Sequence, residues 1–281
     1  MRLAKFASRV AFDAFLKFLR DDGWAIASHI ALSTLMSLFP FLIFVTALTG
    51  LLYGSEELAE KAAQLLLEAW PEEVAGPIAR EITNVLTGTS HKSVLTYGAV
   101  LMLLFSTNGV ESLRIGLNRA YDTMETRPWW VLRLESAAYV LVAALSLSAL
   151  AFLIVLAPLI WPTVVHYAPA LEAAEGAVTL MRYGVTSLIL VLALVVAHKW
   201  LACGTRGTRE IAPGIVVTLL LWLVSAFAFA RYLSAFAGAY VRTYAGLASA
   251  MVALVFLYWT ASIFVYGAEL NAAIRRQRGA A

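Results

Sequence analysis

The chain is short of charge. Only 14% of its 281 residues are Asp, Glu, Lys or Arg, where a soluble domain carries about 25%. So little polar surface cannot cover a water-soluble fold. A single cysteine, Cys203, excludes an intramolecular disulfide and a thiolate metal centre. The four histidines are His29, His91, His166 and His198. No H-E-x-x-H, G-x-S-x-G or Walker A lysine loop is present, so no catalytic, metal or cofactor site is predicted. The balance of charge is only slightly basic, +3 with a pI of about 9.0. In a soluble protein that excess would hint at nucleic acid. In a membrane protein it belongs to the basic loops that set topology, so no nucleic-acid partner is expected.

Apolar residues fill the chain instead: 61% are hydrophobic and the mean hydropathy is +0.79. Several stretches reach the roughly 20 apolar residues that cross a bilayer as a helix. The fold class predicted is an all-α, polytopic membrane helical bundle with about six transmembrane helices. The first apolar run, Trp24 to Tyr53, is far too long for the apolar core of a signal peptide.

Residues 1–22 read as an amphipathic interfacial helix, with Phe12, Leu16 and Leu19 on one face and Arg9, Asp13, Lys17 and Arg20 opposite. Residues 23–275 form the transmembrane domain, and 276–281 a basic C-terminal tail. The expected spans are Trp24–Tyr53, Val94–Ser106 with a polar extension through Tyr121, Ala137–Pro158, Tyr183–Trp200, Ile211–Ala230 and Gly246–Leu270. The first would be about 45 Å long against a hydrocarbon core of about 30 Å, and Pro40 is its expected kink. Between spans 1 and 2, residues 54–92 form an acidic helical segment. Trp161, Pro162, Tyr167 and Pro169 mark an interface after span 3.

The two ends and the 2–3 and 4–5 loops carry fifteen of the 21 Lys and Arg residues. By the positive-inside rule both termini are cytoplasmic and segment 54–92 faces outward. His91 and His166 then lie on the side opposite His29 and His198, so they cannot converge on one ion.

Polar residues inside such helices are costly without a partner or a role. Asn108, Glu111, Ile115, Asn118 and Asp122 fall on one helical face, and Arg114 lies one turn from both Glu111 and Asn118. One reading is a polar pathway or headgroup site. The other is a solvated helix end with ordinary ion pairs within one helix. His29, Ser33 and Ser37 line one face of the first span and suit close helix packing. Tyr258, Ser262, Tyr266 and Glu269 share a sector of the last span. An acid in a last helical turn opposes the macrodipole, so Glu269 is expected to pair with a basic residue of the 2–3 or 4–5 loop. Pro213-Gly214 reads as the start of the fifth helix and, with Pro40, as a candidate hinge. Arg231, Tyr232, Arg242 and Tyr244 are candidate outer headgroup contacts.

Several short runs together resemble the YihY/BrkB family of bacterial inner-membrane proteins, once described as ribonuclease BN. They are Ser37-Leu38-Phe39-Pro40, Asn118-Arg119-Ala120-Tyr121, Pro213-Gly214 with Trp222, and Gly267-Ala268-Glu269-Leu270-Asn271. One departure is Tyr244-Ala245-Gly246, where the family has a Tyr-Gly pair. The resemblance implies a six-helix inner-membrane protein concerned with envelope integrity, lipid export or virulence. The old nuclease name does not suit these residues, because a zinc hydrolase needs clustered His and Asp.

Three functions remain open at this level. The leading one is a transporter or flippase-like protein for a lipid or amphiphile, with membrane lipids as its partners and Asn108, Glu111, Arg114, Asn118, Glu269 and Asn271 as its candidate polar site. The second is an envelope scaffold that docks other proteins through segment 54–92. The third is an ion channel whose selectivity ring would be completed in a homo-oligomer.

Overall fold

A computed structural model of the chain describes residues 2–53, 92–147, 175–244 and 248–279. Segment 54–91, the expected interface residues 161–169 and residues 245–247 lie outside the described residues. Seven helices make up nearly all of what is described. They are α1 (Arg2–Arg20), α2 (Gly23–Tyr53), α3 (Lys92–Ala120), α4 (Trp129–Leu147), α5 (Glu175–Val196, extended by a π-helical turn Ala197–Leu201), α6 (Thr208–Tyr244) and α7 (Ala248–Gly279).

Five of these are long and apolar enough to cross a membrane: the stretches Gly23–Val45, Val100–Ala120, Trp129–Leu147, Thr208–Leu233 and Ala250–Gln277. The all-α membrane bundle is therefore present. The expected fourth span corresponds to α5, whose apolar stretch, Ser187–Leu201, is shorter than the other five.

Local chemistry explains where the helices start and stop. Asp22 closes α1 with a left-handed φ of 55°, a conformation Asp tolerates better than most residues. Its carbonyl then accepts the Ile26 amide at 3.0 Å, which opens α2. Asp122 does the same after α3, with φ 53° and its amide on the Arg119 carbonyl. Pro128 offers its carbonyl to Val131 and Leu132, so α4 begins at Trp129, earlier than the expected Ala137. The start of α6 also differs from expectation. The Glu210 carboxylate accepts the Gly207 amide, half of a capping box, and the helix begins at Thr208. Pro213 therefore lies inside α6 and does not mark its start. Pro40 likewise lies within an unbroken α2, so neither proline ends its helix. Finally, α7 continues through Arg275 and Arg276 to Gly279, where basic residues suit the negative end of the dipole.

The chain divides into two compact units. Unit 2 comprises 37–107 and 134–191 and has a core of Phe44, Val45 and Ala144, with Phe41, Met102 and Leu103 around it. Unit 1 comprises 1–36, 108–133 and 192–281. In it α6 packs along α7, and α1 packs on α7 through Val10, Ala14, Leu270 and Ala273. The face of α1 buried in the protein is thus Val10–Ala14–Phe18, while Phe12 and Leu19 of the expected apolar face are exposed. On α2, Ala27, Ile30 and Ala31 are buried and His29 is exposed, so His29–Ser33–Ser37 is not a single packing face.

Candidate functional site

The site is built in unit 1, where the conspicuous sequence runs converge. Gly214 on α6 and Gly267 on α7 let the two helices meet backbone to backbone. A Cβ on Gly214 would overlap the Gly267 carbonyl oxygen, and one on Gly267 would overlap Thr218 Oγ1. Only glycine permits this approach, which gives Gly214 a contact role. Asn271 binds across the seam: its Oδ1 accepts the Gly214 amide at 2.6 Å, and its Nδ2 donates to the Ile211 carbonyl at 3.0 Å. Trp222 adds a second link, its indole N–H donating to the Thr260 carbonyl at 2.9 Å.

The Asn271 amide also donates to the Tyr121 hydroxyl at 3.3 Å, and Tyr121 lies 2.7 Å from His198 Nδ1. Either atom of that pair can donate, depending on the His198 tautomer, and the remaining ring nitrogen is Nε2. That atom is buried and finds no partner among the described residues. His198 sits on the π-helical turn, packed against Phe264, and Arg206 lies 3.9 Å above the Tyr121 ring. Together these form a closed polar node between α3, α5, α6 and α7.

A second cluster surrounds Glu269, which is fully buried. Its ion-pair partner is Lys17, at 3.6 Å, from α1 and not from either expected loop. The reason is the packing of α1 on α7, which brings Lys17 over the last membrane turns. Lys17 also bonds Asp21 and lies 2.9 Å from Asp122, which in turn holds Arg276 at 3.0 Å. Burial works against the Lys17 ammonium, but the bonds to Asp21 and Asp122 and the charge of Glu269 outweigh it and raise its pKa. Tyr266 fastens the same helices by donating to the Ala11 carbonyl at 3.2 Å. An open groove of about 590 Å³ lies above, lined by Asp13, Lys17, Arg20, Asp21, Asp122 and Arg276 among others.

The stripe on α3 finds partners on other parts of the chain. Arg133 of α4 reaches back to Glu111 at 2.8 Å and Asn108 at 3.1 Å. Arg114 is buried and donates to the Leu132 carbonyl. Asn118 donates to Glu125 at 3.0 Å and accepts the Cys203 amide at 2.7 Å. Ile115, on the same stripe, is exposed. Glu111, Arg114, Asn118, Glu125, Trp129 and Arg133 nevertheless line one groove of about 570 Å³. The six candidate site residues thus divide among three places: the α3 groove, the Glu269 cluster and the Asn271 node. Arg231 and Tyr232 are exposed on α6, and the side chains of Arg242 and Tyr244 lie outside those described.

Periodicity did not single out His198, Arg206, Arg133 or Lys17 as site residues, because their partners lie far along the chain.

Glu125 has a measurable consequence. Hydrogen bonds from Arg127, aided by Asn118 and only partly offset by burial, hold its carboxyl at about 2, well below the ordinary 4.5. A depressed carboxylate stabilises the fold above its ordinary pKa and stops doing so as pH falls through about 2. The loop 121–128 should therefore keep its structure at pH 4. Hydrogen exchange at the Cys203 amide, corrected for intrinsic rate, should be the same at pH 7 and at a second pH about one unit above the ordinary carboxylate value. In Glu125→Gln it should be about tenfold faster at both, a loss of about 1.4 kcal/mol. Equal exchange in the variant and the natural chain would remove Glu125 from the clamp.

The fold and its buried polar clusters define an all-α polytopic membrane protein. Within that class the chain belongs to the family described as Virulence factor BrkB, whose profile matches residues 14–281. It is similar to the putative ribonuclease-like protein YfkH of Bacillus subtilis (strain 168), 24% identical over 266 residues that cover 95% of each chain. It is also similar to a UPF0761 membrane protein of Rhodospirillum centenum, 24% identical over 263 residues. That match takes in 93% of this chain but only 56% of the relative's length. No solved structure matches the chain.

Proposed function

We propose that the protein is a transporter or flippase-like carrier that moves a lipid or other amphiphile across or along the cytoplasmic membrane, in support of the envelope. The observation that carries this reading is the α3 groove. Its lining brings Arg114 and Arg133 together with Glu111 and Glu125, beside the strongly exposed Trp129. Charges of both signs match a headgroup, and exposed Trp beside the exposed Trp130 and Leu134 matches the interface where lipid chains begin. Buried polar groups within membrane helices, here Arg114, Asn118 and Glu269, are what a pathway through lipid uses. The name of the Bacillus relative suggests a nuclease, a reading we do not favour. Among the described residues no three His, Cys, Asp or Glu side chains gather as a metal-ligand set.

Purified protein in liposomes, with labelled lipids of several headgroup classes and an imposed pH gradient, tests the proposal. Scrambling should exceed that of empty liposomes. Glu111→Gln, Arg114→Ala and Glu269→Gln should each slow it about tenfold, equivalent to about 1.4 kcal/mol of barrier. Each variant is compared only if its thermal midpoint shows it folded. No flux above empty liposomes with any lipid class would sink the carrier and leave the scaffold reading, with segment 54–92 as its docking surface.

A further inference from the structure

Unit 1 holds another pocket, of about 210 Å³, that opens beside the polar node and shares Arg206 with it. Its wall includes Arg127, Lys199, Trp200, Cys203, Gly204 and Arg206, and no carboxylate. Arg127 is neutralised by its paired bonds to Glu125. The other two cations are not. Among the described residues neither Lys199 nor Arg206 makes a salt bridge. The Lys199 ammonium lies 5.1 Å from the Trp200 ring centroid. Arg206 is only 6% exposed and donates to the carbonyls of Ala202 and Cys203, and its Nε has no hydrogen-bond partner. A buried guanidinium satisfied only by carbonyls and a ring face retains its full charge, and an anion in the pocket would lower that electrostatic cost.

The surroundings say which anion. Trp200 lines the pocket, and it and Leu192, eight residues earlier on α5, are each about half exposed. A cationic pocket at the end of an apolar helix, flanked by an exposed Trp and Leu, presents a polar site to a phosphate and an apolar track to an acyl chain. We propose that this pocket binds the phosphate of an anionic phospholipid, with Lys199 and Arg206 on the phosphate and Trp200 and Leu192 against the chain. This site is separate from the carrier reading and stands if that reading fails.

The test uses the full chain in detergent micelles, titrated with phosphatidylglycerol or phosphatidylcholine of identical chains. Native mass spectrometry counts retained lipid, and the thermal midpoint reports stabilisation. Phosphatidylglycerol should be retained at about fivefold lower concentration than phosphatidylcholine, as expected for one extra basic contact, and it alone should raise the midpoint. Arg206 is packed against Tyr121, so Lys199 carries the test. Lys199→Glu should lose the headgroup preference with an unchanged lipid-free midpoint, and Lys199→Arg should keep it. Trp200→Ala should weaken retention of both lipids. The proposal is overturned if Lys199→Glu retains phosphatidylglycerol like the natural chain, or if the natural chain holds both lipids equally. It is also overturned if inorganic phosphate without lipid gives the same rise in midpoint, since the occupant is then a soluble anion.

Discussion

Gly267→Val and Gly214→Val should each reduce the recovery of monodisperse protein to a small fraction of the natural level, the largest effect expected of any single substitution. At both positions the first atom of a side chain would overlap a neighbour across the seam. At Gly214 that neighbour is the Gly267 backbone carbonyl, which cannot swing aside as a side chain can. Overpacking ordinarily costs about 1–3 kcal/mol. Here relief requires α6 and α7 to separate along their length, which also breaks the 2.6 Å bond from the Gly214 amide to Asn271. A loss of about 3 kcal/mol or more is large against a total stability of about 5–15 kcal/mol. Gly184 is the internal control, because nothing lies within 4 Å of a Cβ placed there. Gly184→Ala should leave the midpoint unchanged or raise it slightly, by at most about 1 kcal/mol in stability. Size-exclusion profiles and thermal midpoints in detergent read both outcomes. A Gly267→Val protein with the natural midpoint would show that the helices do not meet there.

Lys17→Ala should destabilise the protein by about 3 kcal/mol, and Glu269→Gln in the same chain should restore most of that loss. Glu269 is buried with Lys17 as its ion-pair partner at 3.6 Å. Removing one member of a buried pair leaves the other charge uncompensated, at a cost of about 3–5 kcal/mol, whereas neutralising both can be nearly harmless. The more exposed pairs of the cluster behave differently. Asp122 is 60% exposed at its side chain, so Arg276→Ala should cost less than about 1 kcal/mol and should be masked by salt. The lower end of the range for Lys17 reflects its remaining contact with water, at 15% side-chain exposure. A double-mutant cycle on Lys17 and Glu269 gives the coupling directly. Purely additive effects would show that the two do not interact.

Both predictions bear on α7, where the gap between sequence and structure is widest. The run Gly267-Ala268-Glu269-Leu270-Asn271 stands out in the sequence, and each of its polar or small members has a distinct role. Gly267 admits α6, Glu269 takes Lys17 of α1, and Asn271 ties α6 to Tyr121 of α3. None of those partners is within reach of the run by helical periodicity. Lys17 is separated from Glu269 by most of the chain, and Asn271 from Tyr121 by 150 residues. The same limit explains the α3 stripe. Its spacing puts Glu111 and Asn118 on one helical face, and their partners include Arg133 and the Cys203 amide. The start of α6 differs from expectation for a local reason: Pro213-Gly214 is a strong start signal, yet the weaker capping pattern Gly207–Glu210 lies upstream and prevails.

By itself the sequence determined that this protein is an all-α membrane bundle. Chain-length apolar stretches in a chain so poor in charge admit no other way to satisfy the backbone in lipid. It also determined which polar residues were too costly to be incidental. Only the tertiary structure decided what those residues do for one another. Helix register and neighbour choice depend on side chains that meet across helices, and a bilayer rewards close packing and satisfied polar pairs without encoding either in a local period.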